Sequence, residues 1–424
     1  MLHRLPFALR RPLGRAASSL ALVAALASGA AVATALLESP AAAQSQPRYS
    51  RGFIAAYQPV AEIVAAEGGD YAAARAQLEA VHAAIENDDD RNAAGRLTLQ
   101  LGSRLNDPAL QRRGLEMVLA SGKATPEETA QFQFYVGNLA YGAGDWAAAR
   151  TALQAAIAGG YTEGDPEALI AESYLSEGQV QQGLNYLSGV IEQRLAAGQQ
   201  VPESWVLRGL RAAYEADLPT EAETFATLLV RQDPSTVNWQ RSLQVINAMN
   251  SLERQVHLDL LRLMLETDAI TTRRELIDYV EAADVRVMSN EVQRVLQRGI
   301  EMQQFTPSDE YYAEIKRIAD ERAPVDQREA PTLAAEARSA ATGTAAQAAG
   351  DVFLSLEDYA QAEQMFALAL EKGGVDRDRN LTRLGIAQAK QGKMAEAKAS
   401  FEQVSGVRAP VARMWALYAD TKAA

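Results

Sequence analysis

The sequence predicts an all-α protein, a right-handed α-solenoid of about ten helical hairpins with a capping helix at its C-terminus. Alanine carries much of an apolar fraction of 48%, while aromatic residues make up only 6%. Alanine has the highest intrinsic helix propensity, and the alternating β-branched residues typical of strands are scarce. Similar segments also recur every 34 or 35 residues, an interval typical of stacked helical repeats.

The clearest copy of the recurring segment is YGAGDWAAARTALQAAI, residues 141–157. Each copy has a polar residue in fifth place, a bulky apolar residue in sixth place and a small residue in ninth place. The ninth residues include Ala149 and Gly183, which are 34 positions apart, and Ala362 and Ala397, which are 35 apart. The other copies are residues 66–82, 175–191, 354–370 and 389–405.

The residue types within this segment predict two helices joined by a tight turn. Gly144 can adopt the left-handed conformation that ends a helix, and Asp145 can cap the next one. A second small residue, Gly137, precedes Ala149 by twelve positions. We expect the two helices to cross where these small side chains permit a close approach, with Leu153 on the apolar stripe of the second helix.

This pattern resembles the tetratricopeptide repeat (TPR). The matching residues are Gly385, Ala397 and Phe401 in one hairpin and Gly350, Phe353, Ala362, Phe366 and Ala369 in another, and Pro234 matches the closing proline. The resemblance is weak over 91–121 and 268–342. The predicted hairpins span residues 53–84, 91–121, 126–158, 165–196, 203–232, 236–267, 272–303, 308–341, 344–372 and 378–404, with a final helix over 410–422.

The predicted domain organisation has four parts. Residues 1–43 form a signal peptide and residues 44–320 an N-terminal TPR-like array. Residues 321–342 are rich in proline and alanine and form a linker or a degenerate hairpin. Residues 343–424 form a C-terminal TPR pair with the capping helix.

The N-terminus has the pattern of an export signal. A basic stretch with four arginines precedes an apolar stretch over 18–37, and Ala41 and Ala43 provide a cleavage site before Gln44. The alternative is an uncleaved membrane anchor, because twenty apolar residues are enough to cross a bilayer. Cleavage predicts a periplasmic protein, and the alanine-rich, acidic composition favours a Gram-negative bacterium.

Composition and motifs exclude several classes of function. The first 43 residues hold four Arg and one Glu, which leaves 37 basic and 53 acidic residues in the remainder. Such an acidic chain repels nucleic acid. Cysteine is absent, and neither His82 nor His257 has metal-ligand spacing. Residues 86–91 lack the calcium-loop pattern, so their last Asp is expected to cap a helix in a solvated loop. We therefore predict neither catalysis nor a cofactor nor a metal.

A binding surface remains. TPR resemblance implies that partners lie in the concave groove formed by the first helix of each hairpin, and aromatic and arginine residues often anchor interfaces. Aromatic residues at helical spacing also fill the core between hairpins, so each position either contacts a partner or packs in the core, and the sequence leaves both alternatives open. The candidate partner-binding residues are Phe134, Asn138, Tyr141, Glu172, Arg211, Tyr214 and Arg241.

The resulting prediction is a non-catalytic periplasmic scaffold or adaptor that binds a protein or peptide partner in a cell-envelope complex. The alternative is a protein that binds or processes cell-wall polymers or polysaccharide on a helical solenoid. A membrane is a partner only if the N-terminal segment is retained, and the sequence leaves the oligomeric state open.

Overall fold

A computed structural model describes residues 47–423, so the export segment expected over 1–43 lies outside the described residues. Between Pro47 and Ala423 all regular structure is helical and no strand occurs, which confirms the all-α prediction. No helix in this range combines the length and the apolar character needed to cross a bilayer.

Contacts between helices divide the chain into two compact units, with the division between Gln179 and Val180. The segment 321–342, predicted as a linker or a degenerate hairpin, lies within the second unit. The first unit contains α1 (Arg51–Ala65), α2 (Tyr71–Ala83), α3 (Asp88–Leu105), α4 (Pro108–Ala120), α5 (Pro126–Gly142), α6 (Trp146–Ala158) and α7 (Pro166–Ser176).

The turn between α5 and α6 has the predicted geometry. Gly144 has a φ of 76°, and the side chain of Asp145 accepts a hydrogen bond from the backbone N–H of Ala148 at 3.3 Å. A Cβ atom added at Gly137 would lie 2.6 Å from Cγ of Leu153, and Ala149 is fully buried. The glycine thus makes room for the leucine at the helix crossing, as the repeat pattern indicates.

The α3–α4 hairpin is closely packed although its repeat pattern is weak. A Cβ atom at Gly114 would lie 2.4 Å from the backbone nitrogen of Leu99, and one at Gly95 would lie 2.8 Å from the carbonyl oxygen of Gly114. The backbones themselves are therefore in contact at this crossing. Gly95 and Gly114 make this contact 19 positions apart, whereas Gly137 and Ala149 of the α5–α6 hairpin are twelve apart.

The start of α3 differs from the prediction for residues 86–91. Asn87 is the N-cap, and its side chain accepts a hydrogen bond from the backbone N–H of Asp90. Asp90 is fully buried and accepts hydrogen bonds from both the backbone N–H and the hydroxyl of Ser50. This carboxylate joins the start of α1 to α3 and is not a solvated cap.

The second unit contains thirteen α-helices within its described residues. They are α8 (Val180–Ala196), α9 (Glu203–Glu215), α10 (Pro219–Gln232), α11 (Thr236–Met249), α12 (Arg254–Glu266), α13 (Arg273–Ala283), α14 (Ser289–Glu301), α15 (Glu310–Ser339), α16 (Thr344–Ser355), α17 (Tyr359–Lys372), α18 (Arg377–Lys390), α19 (Met394–Phe401) and α20 (Ala409–Ala423).

The segment predicted as a hairpin over 308–341 is one helix, α15, and the expected linker at 321–342 lies mostly within it. Proline inside a helix removes a backbone hydrogen bond and clashes with the preceding turn. Here both Pro324 and Pro331 lie on the exposed side. Buried residues continue at spacings of three and four across both prolines, so packing against α14 and α16 maintains the helix.

Helix α20 packs against α19, as expected for a helix that caps the last hairpin, and it also packs against α10, α11 and α12. Arg413 of α20 forms an ion pair with Glu223 of α10. The indole N–H of Trp415 donates a hydrogen bond to the carbonyl oxygen of Asp259 in α12 at 2.8 Å. The C-terminal helix therefore connects the last hairpin to helices much earlier in the second unit.

Candidate protein-binding surface

Three of the candidate partner-binding residues lie on α5, the first helix of its hairpin. Phe134 is only 7% exposed, and its ring packs against Tyr161 with ring centroids 4.8 Å apart. Asn138 and Tyr141 follow on the same helix and are partly exposed. Phe134 thus supports the surface from beneath, while Asn138 and Tyr141 are accessible.

Helix α7 extends this surface. The hydroxyl oxygen of Tyr141 lies 3.4 Å from the hydroxyl oxygen of Ser176, and the Tyr141 ring makes an edge contact with Trp146 at 5.1 Å between centroids. Glu172 lies one helical turn before Ser176 and is partly exposed. The structure therefore brings Asn138, Tyr141 and Glu172 onto neighbouring helices of the first unit.

Two tyrosines that the sequence analysis did not select also belong to this surface. Tyr135 follows Phe134 on α5, and Tyr161 lies in the loop before α7, where its ring packs against Phe134. Burial, together with the neighbouring Tyr135 and Glu163, raises the pKa of Tyr161 to about 12. We call the surface formed by Tyr135, Asn138, Tyr141, Tyr161 and Glu172 the α5–α7 face.

Acidic residues outnumber basic ones in the sequence around the α5–α7 face, although arginines from outside this stretch pair with two of them, Arg96 with Glu128 at 3.0 Å and Arg112 with Asp145 at 2.9 Å. Residues 124–179 contain eight acidic side chains and a single basic one, Arg150, whereas residues 47–123 contain ten and nine. Arg150 pairs with Glu177 at 2.7 Å and lies over the ring of Tyr174 at 4.2 Å. The acidic residues are Glu127, Glu128, Asp145, Glu163, Asp165, Glu167, Glu172 and Glu177.

The other predicted residues lie in the second unit. Arg211 and Tyr214 are exposed on α9, and Arg241 on α11 pairs with Glu203 at the start of α9 at 3.0 Å. These residues form a second group on first helices. Nothing tests whether either group contacts a partner, so these assignments stay predictions.

The corresponding face of the C-terminal hairpins is not accessible. Arg383 of α18 is fully buried, and its guanidinium donates hydrogen bonds to Asp259 at 3.2 Å and to Gln255 at 2.6 Å, both on α12. Arg408 donates to the same Asp259 carboxylate at 2.9 Å. Helix α12 of the chain itself thus covers this face of α18.

Charge compensation makes this buried contact possible. Burial alone acts to raise the pKa of Asp259, but Arg383, Arg262 and Arg408 outweigh it and hold that pKa below its usual range. Burial opposes ionisation of Glu291 in the same way, and Arg262 with Tyr279 lowers its pKa. A buried ion network of this kind is sensitive to the loss of any one partner, because the remaining charge is left uncompensated.

The described residues offer no metal site. Between Pro47 and Ala423 no group of three His, Cys, Asp or Glu side chains is arranged to hold a metal ion. The imidazole Nε2 of His82 lies 2.8 Å from the hydroxyl of Thr98, and burial lowers the pKa of His257. Both histidines are half-buried within the helix packing.

No protein-family model matches the sequence, and the search of curated proteins finds no match. Among solved structures, the chain is similar to the C-terminal part of a TPR repeat-containing protein from Cytophaga hutchinsonii, at 12% identity, over 77% of this chain and 97% of that one, with a TM-score of 0.29. It is also similar to a chain in the structure of Naa15/Naa10 bound to HypK-THB, at 11% identity over 88% of this chain and with a TM-score of 0.39. This chain spans 60% of the length of that one.

The hairpins of this chain define its class by their own geometry. At Gly137, Gly350 and Gly385 an added Cβ atom would meet the side chain sixteen residues later. Left-handed residues precede the second helix at Gly144, Glu357 and Gly392. The fold is therefore a TPR-like, all-α helical repeat.

Proposed function

We propose that this protein is a non-catalytic periplasmic scaffold that binds a protein partner on the α5–α7 face. The observation that carries the proposal is a contrast between two first-helix faces. Helix α12 covers the face of α18 and contacts Arg383 there, whereas Asn138, Tyr141 and Glu172 remain partly exposed on α5 and α7. An accessible face with tyrosines held in place by neighbours is suited to anchoring a partner.

The proposed location rests on the sequence alone. A basic stretch, an apolar stretch and Ala41 and Ala43 before Gln44 are typical of a cleaved export signal. Cell fractionation followed by N-terminal sequencing tests it. We expect mature protein that starts at Gln44 in the periplasmic fraction, and a cytoplasmic protein that retains Met1 would contradict the location.

Site-specific photo-cross-linking in cells tests the binding face. A photoreactive phenylalanine analogue replaces Tyr141 on α5 or, as the control, Gln154, which is exposed on α6. Both positions lie in the same α5–α6 hairpin, and both variants are expressed in the same way. We expect one reproducible protein adduct from position 141 and none from position 154. Any of three results would contradict the proposal: no adduct at 141, equal adduct yields at 141 and 154, or an adduct from 154 alone.

A further inference from the structure

We infer that the partner segment on the α5–α7 face is basic, rich in arginine or lysine, and belongs to another protein. This inference rests on the proposed function and adds the chemistry of the partner. Two independent features of the described residues support it: two exposed carboxylates in a loop without a basic residue, Glu163 and Asp165, and a set of partly exposed tyrosine rings.

The charge of the loop before α7 selects a cation, because residues 159–165 contain Glu163 and Asp165 and no basic residue. Both carboxylates are exposed beside Tyr161 in this loop. The single arginine of residues 124–179, Arg150, is already held by Glu177, Ser173 and the Tyr174 ring. Complementary charge directs the approach of a partner and excludes partners of like charge, so this region attracts a basic segment and repels an acidic one.

The tyrosine rings supply a second kind of contact that also favours cations. A guanidinium or ammonium group over an aromatic face is attracted by the electrons of the ring. The fold already uses this contact nearby, since the guanidinium carbon of Arg150 lies 4.2 Å from the centre of the Tyr174 ring and that of Arg96 lies 5.9 Å from the centre of Phe132. Tyr135, Tyr141 and Tyr161 offer comparable rings that are partly exposed.

The position of Tyr161 joins the two features. Its ring packs against Phe134 in a tilted arrangement with centroids 4.8 Å apart, and a Cβ atom at Gly164 would lie 2.5 Å from the same phenylalanine ring. The loop is therefore fixed over α5, and it carries Glu163 and Asp165 beside the tyrosines. A cationic side chain that reaches this loop meets carboxylates and aromatic rings together.

The experiment measures binding of a fluorescein-labelled twelve-residue peptide of alternating Arg and Ser by anisotropy, with the mature chain from Gln44. The charge variant is Glu163→Gln with Asp165→Asn, and Asn tolerates the left-handed backbone of position 165, where φ is 54°. The matched control is Glu62→Gln with Glu67→Gln, which removes the same charge from two exposed positions at α1. We expect affinity to fall about tenfold in the charge variant and less than about twofold in the control. An equal loss in both variants would overturn the inference, because it would show general attraction to an acidic protein.

A second pair of variants tests the rings. Tyr141→Phe retains the ring, and Tyr141→Leu removes it, while circular dichroism and the melting temperature confirm that both fold. We expect the Phe variant to bind as the parent does and the Leu variant to bind about fivefold more weakly. Equal binding by both variants would overturn the role of the ring.

Two further outcomes separate this inference from others. The full chain carries four arginines within its first fifteen residues, and these could compete with the peptide for the α5–α7 face. Weaker peptide binding by the full chain than by the chain from Gln44 would identify the N-terminal segment as the occupant of the face. That result would overturn the assignment of the partner segment to another protein. Mass spectrometry of the adduct from position 141 identifies the partner segment. A basic segment supports the inference, whereas an acidic or apolar segment overturns it and leaves the proposed function standing. The absence of an adduct contradicts the proposed function itself.

Discussion

The crossing of α3 and α4 offers a sharp test of the packing. The perturbation is Gly114→Ala, which places a Cβ atom 2.4 Å from the backbone nitrogen of Leu99 and 2.7 Å from the carbonyl oxygen of Gly95. Neither neighbour can rotate away, because both are backbone atoms within a helix. The helices must therefore separate by several tenths of an ångström.

The magnitude follows from two opposing effects. Alanine inside a helix is favoured over glycine by about 1 kcal/mol, whereas overpacking of a tight contact costs about 1–3 kcal/mol and occasionally more. A clash with rigid backbone atoms belongs at the upper end of that range. We expect a net loss of about 2 kcal/mol in the local free energy of unfolding, or about a 30-fold increase in the opening equilibrium.

Hydrogen–deuterium exchange with mass spectrometry measures this change directly in peptides from α3 and α4. The matched control is Gly142→Ala on α5, where no atom lies within 4 Å of the added Cβ. The control should slow exchange slightly or leave it unchanged, because it gains helix propensity without a clash. Unchanged or slower exchange of α3 and α4 in Gly114→Ala would refute the reasoning.

Three further predictions concern stability. Ala149→Leu should overpack the α5–α6 crossing and lower the unfolding free energy by about 1–3 kcal/mol, and an unchanged melting temperature would show that the repeat register is wrong. Asp259→Asn should destabilise the second unit by about 3–5 kcal/mol, since it removes the buried carboxylate that Arg383 and Arg408 share. Arg383 keeps Asp351 as a partner, but the buried network is left with one negative charge fewer. The control Asp268→Asn removes an exposed pair with Arg298 and should cost at most about 1 kcal/mol in urea denaturation. The pKa values of Asp259 and Glu291 are lowered in the folded protein, so their ionised carboxylates stabilise the fold at pH values above about 4, the pKa of these groups in the unfolded chain. This stability should be lost as the pH falls through the pKa values of the folded state. A urea midpoint for the second unit that rises between pH 5 and pH 3 would contradict it.

The local structure of this protein is largely readable from its sequence, because small residues, turn residues and caps act over short distances. Gly137, Gly144, Asp145 and Ala149 predict the α5–α6 hairpin, and the same pattern predicts most of the other helices. Helix α15 is the exception. Proline normally ends a helix, but Pro324 and Pro331 lie on the exposed side and the buried stripe continues past them.

The long-range contacts could not be predicted in the same way. Arg383 and Arg408 reach Asp259 from 124 and 149 residues along the chain, and no local pattern pairs residues so far apart. A weaker signal was present, because Asp259 and Arg262 interrupt the apolar sequence of α12. Charged residues within an apolar helix indicate a buried ion pair, though not its partners.

The candidate surface was predictable in part. The repeat register selects Asn138, Tyr141 and Glu172, which lie together on α5 and α7. It does not select Tyr161, which belongs to a loop outside the repeat positions and lies over α5 only because the loop packs on Phe134. Loop residues of this kind need the structure to place them.

The most direct test of the central claim is carboxyl footprinting of the mature protein with and without the Arg-Ser peptide. A carbodiimide couples an amine to accessible carboxylates, and mass spectrometry reports the rate at each one. We predict that the bound peptide slows labelling of Glu163 and Asp165 and leaves Glu62 and Glu67 unchanged. Labelling of Glu163 and Asp165 at the free rate, with protection elsewhere, would contradict the assignment of the α5–α7 face as the binding surface.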